Sequence, residues 1–114
     1  MPTEILSGLW IGNVNDNYNE QLFKDNLITI VINCTSNQGF LDLPNLKKLR
    51  IPLSDKLEPN RDIYLLKENM DKIIDFIHEK IDENNIFIHC YNGTSISPLI
   101  VAIYMIKKGE ISKD

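Results

Sequence analysis

Two short runs constrain the fold of this chain more than anything else in it: Ile28-Thr29-Ile30-Val31-Ile32 and Ile86-Phe87-Ile88. They are β-branched or aromatic, and apart from Thr29 neither alternates with polar residues as a half-exposed strand would. A strand apolar on both sides is buried on both faces, as in a parallel sheet covered by helices. Between the runs, from Arg61 to Asp82, lies the clearest helical signal. Leu66, Met70, Ile73, Ile74, Ile77 and Ile81 recur on one helical face. The other elements follow from weaker cues. Glu4–Leu6 and Leu9–Ile11 form a strand pair around Ser7-Gly8. Asn15 to Asn26 is a short amphipathic helix, capped by Asn15 or Asp16, with Tyr18, Leu22 and Phe23 on one side. Leu49-Arg50-Ile51 is a short strand before Pro52. After Ile88 and a loop, Ser97 caps a last helix, with Pro98 in its first turn, where a missing N–H costs nothing. Lys107, Lys108 and Gly109 end that helix as the helix dipole and a left-handed cap prefer. The predicted fold class is α/β, a central, mostly parallel sheet flanked by helices. Ligands of such sheets bind outside the carboxyl ends of the strands, which points to the loop after Ile88.

The 114 residues suit one domain, 1–114. A net charge of −4 supplies no basic patch for nucleic acid, and any affinity for an anion must be local. No apolar run approaches the ~18 residues that span a membrane, and the first residues carry neither a basic region nor a signal core. No membrane or nucleic-acid partner is expected, and an intracellular, cytoplasmic location is. Cys34 and Cys90 are the two cysteines, too few for a disulfide framework.

The segment that carries chemistry is His89-Cys90-Tyr91-Asn92-Gly93-Thr94-Ser95-Ile96-Ser97-Pro98. A cysteine at a strand end, a glycine three residues on, and small hydroxyl residues entering a helix make a cradle of main-chain N–H groups. Such a cradle accepts an anion. The helix dipole and the N–H groups also favour a nucleophilic thiolate at Cys90.

At this point the chain resembles the cysteine-dependent protein phosphatases, whose loop carries His-Cys, five residues, Arg, then Ser or Thr. Here His89-Cys90 is followed by five residues, Tyr91 to Ser95, then Ile96, then Ser97. Leu9 to Asn13, Val31 to Thr35, Ile51 to Asp55 and the run after Pro98 resemble further motifs of the dual-specificity branch, in the same order. The resemblance implies a two-step phosphoryl transfer with Cys90 as nucleophile and Asp55 as general acid and then base. Ser97 would hydrogen-bond the departing thiolate, and His89 would support Cys90 from behind the loop. Tyr91, Asn92, Gly93, Thr94, Ser95 and Ile96 would wrap the phosphate, with no metal or other cofactor. The partner implied is a phosphorylated protein, carrying phosphotyrosine and in the dual-specificity case phosphoserine or phosphothreonine. A cysteine placed like Cys34 pairs with the nucleophile in some related phosphoinositide phosphatases, so Cys34 is a candidate redox partner of Cys90.

Ile96 departs from the pattern. The family's arginine grips two phosphate oxygens with its planar fork. Isoleucine offers neither donor nor charge. At roughly 1.5–3 kcal/mol for each charge-assisted hydrogen bond lost, the rate falls by about 10² to 10⁴-fold. Without that cation the Cys90 pKa should also lie above that of active relatives. The expected function is that of an impaired phosphatase, a pseudophosphatase that binds phosphorylated partners. The alternatives are weak turnover through Cys90 and Asp55, or a self-associating remnant without a phosphate site. The family usually continues for one or two helices past Ser112. A chain truncated there leaves apolar surface that a homodimer would cover.

Overall fold

The computed structural model describes residues 2–54, 58–91 and 96–108. Its elements are β1 (Thr3–Leu6), β2 (Leu9–Gly12), α1 (Val14–Asn17), α2 (Glu20–Asp25), β3 (Ile28–Asn33), β4 (Lys47–Arg50), α3 (Pro59–Lys80), β5 (Asn85–His89) and α4 (Ile96–Lys108). The strands form one sheet in the order β1-β2-β5-β3-β4. All neighbours are parallel except the β1–β2 hairpin. That hairpin turns at Gly8, whose φ of +83° favours glycine. The Gly8 N–H is received by the Glu4 carboxylate at 2.9 Å.

The two apolar runs are the centre of the sheet, as their composition requires. Alternate residues of β3 and β5 enter two different cores. Ile30, Ile32, Ile86 and Ile88 pack with Leu9, Ile73, Ile74, Ile77, Ile100 and Val101 beneath α3 and α4. On the other face Val31 and Phe87 pack with Leu22, Phe23 and Ile28 beneath α2. Phe23 meets Phe87 edge to face, centroids 5.5 Å apart, an arrangement that adds to plain burial.

Several boundaries differ from the sequence expectation. The helix expected over Asn15 to Asn26 is two helices. Asn13 caps α1 in a reciprocal box with Asp16, and Asn19 caps α2 through the Leu22 N–H at 3.1 Å. Asn19 is a second capping residue inside the periodic stretch, and capping requires non-helical backbone there. The long helix begins at Pro59 and ends at Lys80, two residues earlier at each end than expected. β4 covers Lys47–Arg50, so Ile51 lies beyond it. The last helix starts at Ile96, which places Ser97 inside the first turn instead of at the cap. Its hydroxyl has other work, described below. Lys107 and Lys108 pair with Asp71 and Asp75 of α3 at 2.7 and 3.1 Å. Ile63 and Tyr64 on α3, and Leu99 and Ile106 on α4, remain exposed. Among the described residues no helix is long and apolar enough to cross a membrane.

Candidate active site

The site lies where β5 leaves the sheet. β5 is flanked by β2 and β3, and Gly12, His89 and Asn33 stand in one row across the three strands. The next residue, Cys90, is held from both sides: its N–H donates to the Gly12 carbonyl at 3.4 Å, while the Cys34 N–H donates to the His89 carbonyl at 2.9 Å. Gly12 is required here. A Cβ on it would stand 2.6 Å from Asp16 Oδ2 and 2.8 Å from the Phe87 ring.

Cys90 and Cys34 are both buried thiols at adjacent strand ends. Burial, and secondly the charge on Cys90, push the Cys34 thiol well above its ordinary range. Ser97 is fully buried, and its hydroxyl donates to Cys90 Sγ at 3.1 Å. This is the contact a thiolate-stabilising hydroxyl needs. Ile96, adjacent to Ser97, is 7% exposed and packs in the larger core with Cys34, Cys90 and Ile100.

His89 is fully buried with its ring stacked on Phe87, centroids 5.9 Å apart. Burial pushes it down to about 4; the Cys90 main chain acts in the opposite sense and the Arg50 charge reinforces the fall. The ring is therefore neutral at physiological pH. Asp55 and the residues Asn92, Gly93, Thr94 and Ser95 lie outside the described residues. Thus the structure brings Cys34, His89, Cys90, Ile96 and Ser97 together.

Sequence reasoning overlooked several groups nearby. Asp62 is 1% exposed. Its Oδ1 accepts the Ser54 N–H at 3.3 Å and Arg61 Nη1 at 2.7 Å, and its Oδ2 accepts the Glu58 N–H at 2.6 Å. It therefore ties together the residues on either side of 55–57. Burial disfavours its charge, but those N–H groups, the Ser54 hydroxyl and Arg61 outweigh burial and hold it below the usual carboxylate range. An acid in the first turn of a helix after a proline was the available signal. The Tyr91 hydroxyl donates to Asn37 Oδ1 at 2.5 Å. The Asn37 loop is held by Arg50, which donates to the Thr35 and Gln38 carbonyls at 2.7 Å each and lies 4.9 Å over the Phe40 ring. No short-range sequence pattern announces these contacts.

A cysteine at the carboxyl end of a central parallel strand, preceded by a buried histidine and met by a serine of the following helix, is the arrangement that the resemblance to cysteine phosphatases leads one to expect. Residues 9–114 match the family model for the dual specificity phosphatase catalytic domain, and the chain belongs to that family. It is 30% identical over 115 residues to human dual specificity protein phosphatase 16, covering 99% of this chain and 16% of that protein. Against Arabidopsis thaliana dual specificity protein phosphatase 1 it is 28% identical over 109 residues, covering 95% of this chain and 52% of that one. The chain thus spans about half or less of these relatives' length. The DUSP15 crystal structure superposes with a TM-score of 0.76 at 28% identity, covering 99% of this chain and 70% of that chain. The human tyrosine phosphatase-like serine/threonine/tyrosine-interacting protein shares the fold, with a TM-score of 0.78 at 20% identity over 94% and 73% of the two chains.

Proposed function

We propose that this dual-specificity phosphatase domain recognises phosphorylated protein and turns it over poorly, as a pseudophosphatase. The observation that carries this reading is Ile96. It occupies the place where the family pattern has a forked cation, and its side chain is buried in the core with Cys90. Stabilising charge on the equatorial oxygens is most of what a phosphoryl-transfer site does. An aliphatic group there leaves only the main-chain dipoles for that task. Ser97 still donates to Cys90 at 3.1 Å, which supports a loop that binds phosphate without turning it over. A relative in fold whose name describes it as phosphatase-like and interacting fits the same reading.

The test is a pair of measurements on the wild-type protein. Hydrolysis of an aryl phosphate is compared with that of an active family member, and binding of a phosphotyrosine peptide is followed by calorimetry. We expect turnover at least about 10²-fold below the active enzyme, together with peptide binding that orthophosphate competes away. Hydrolysis at the active member's rate, abolished by Cys90→Ser, would overturn the proposal.

A further inference from the structure

β4 is the outer strand of the sheet, and its sequence, Lys47-Lys48-Leu49-Arg50, puts three cations in four residues of a chain whose net charge is −4. All three are exposed. Lys24, Arg61, Lys80, Lys107 and Lys108 each have a carboxylate partner. Among the described residues, the three cations of β4 have none. Lys47 Nζ instead lies 5.5 Å over the Phe76 ring. Arg50 lies 4.9 Å over the Phe40 ring and donates to the Thr35 and Gln38 carbonyls. Such contacts hold the two side chains in place and leave their charge uncompensated.

The main chain of β4 is open on the same side. The Ile51 N–H donates to the Asn33 carbonyl at 2.9 Å. Main-chain groups alternate in direction along a strand, so those of Lys47 and Leu49 also face β3. The N–H and C=O groups of Lys48 and Arg50 therefore face outward, as an edge strand's unpaired groups do. Side chains alternate too: Lys47 lies on the α3 side, and Lys48 and Arg50 on the other. Two such edges set against each other would oppose like charges, which is unfavourable, so a second copy of this chain does not fit. An extended acidic segment does. The edge is also close to the site. Arg50, Asn33 and His89 stand in one row across β4, β3 and β5. With strands ~4.8 Å apart, β4 is about 10 Å from the residue before Cys90, which about three extended residues span.

We propose that the open edge of β4 is a docking strip for an extended acidic segment of the phosphorylated partner. The segment pairs with the outward main-chain groups of Lys48 and Arg50 and sets carboxylates opposite Lys47, Lys48 and Arg50. Main-chain pairing of this kind supplies affinity, and the alternating side chains supply specificity. The proposal rests on the reading of the Cys90 loop as a phosphate site and deepens it: the preferred partner carries acidic residues from about three positions away from the phosphorylated one.

The test uses labelled phosphotyrosine peptides in which glutamate alternates with threonine on both sides, beginning three residues from the phosphotyrosine. A matched peptide carries glutamine for glutamate, and both are also made without phosphate. Binding is followed by fluorescence anisotropy in wild type and in the Lys47→Gln, Lys48→Gln double variant. Wild type should bind the glutamate peptide about tenfold more tightly than the glutamine one. That preference should shrink as salt is raised and vanish in the double variant. Equal affinities in wild type, or a preference that survives in the variant, overturn the proposal. Should the variant not fold, hydrogen exchange on wild type decides: the Lys48 and Arg50 amides should slow when the glutamate peptide is added, and unchanged exchange at both overturns it. The unphosphorylated pair separates this proposal from the phosphate site. A glutamate preference to which phosphate adds nothing supports the strip and sinks the proposed function. Phosphate-dependent binding with no glutamate preference sinks the strip alone.

Discussion

Replacing Ile96 by arginine should move activity and stability in opposite directions. Ile96 is 7% exposed and packs against the core residues of β5 and α4. Fully burying an isoleucine contributes about 1.5–3 kcal/mol, and emptying its space adds a cavity term. Ile96→Arg must withdraw that group and send a guanidinium towards the loop, so a loss of about 2–4 kcal/mol is expected. For a domain of this size each kcal/mol lowers Tm by ~4–6 °C, giving a fall of roughly 10–20 °C. The same arginine can supply two charge-assisted hydrogen bonds to the transferring phosphoryl group, a gain of about 10² to 10⁴-fold in turnover. The assay is aryl phosphate hydrolysis at a temperature where the variant is folded, with thermal melts of both proteins. Cys90→Ser added to Ile96→Arg should return hydrolysis to background. An arginine variant that is folded, measurably less stable and no more active than wild type would refute the reasoning. It would show that the missing cation is not what limits the site.

Three further outcomes follow from groups around the site. The folded His89 pKa, about 4, lies below the ordinary 6.5. The unfolded chain therefore binds the extra proton first, and stability should fall as pH drops from about 6.5 towards 4, by roughly 3 kcal/mol in all. Urea titrations across that range check this, and the slope should flatten in His89→Gln. The Asp62 pKa is depressed from 3.8 by its hydrogen bonds and Arg61, so its contribution is present above about 4 and disappears as pH falls through its folded value. Asp62→Asn should be less stable than wild type at pH 7, and the two should converge on acidification; a gap that persists at low pH would refute the charge-based account. Finally, we propose that the adjacent thiols Cys34 and Cys90 join as a disulfide under mild peroxide. Mass spectrometry should find the loss of two hydrogens and a cross-linked peptide, absent in Cys34→Ser.

The parts of the fold legible in the sequence are those whose signal repeats locally. β3, β5 and α3 announce themselves because each is apolar at a definite period over several residues. The division between α1 and α2 was hidden, since Tyr18, Leu22 and Phe23 keep one face across a break made by Asn19. The contact of Ser97 with Cys90 was expected from the resemblance, although the local pattern made Ser97 look like a cap. A serine beside a proline suits a helix start, while its real partner is seven residues back in sequence. Asp62, Asn17 and Asn33 were not legible at all. Their partners are main-chain groups brought close by the sheet register, such as the Gly39 carbonyl that Asn17 reaches from 22 residues away.

The strand order carries a consequence for how the chain folds as it is made. β5 lies between β2 and β3 and is the last strand in chain order among the described residues. Until Asn85–His89 has been synthesised, the β1–β2 hairpin and the β3–β4 pair have no common neighbour, and the inner edges of β2 and β3 are open templates for wrong pairing. Closing the sheet requires contacts distant along the chain, a topology that folds slowly and exposes sticky edges meanwhile. The strand that leads into the Cys90 loop is thus the one that joins the two halves of the sheet.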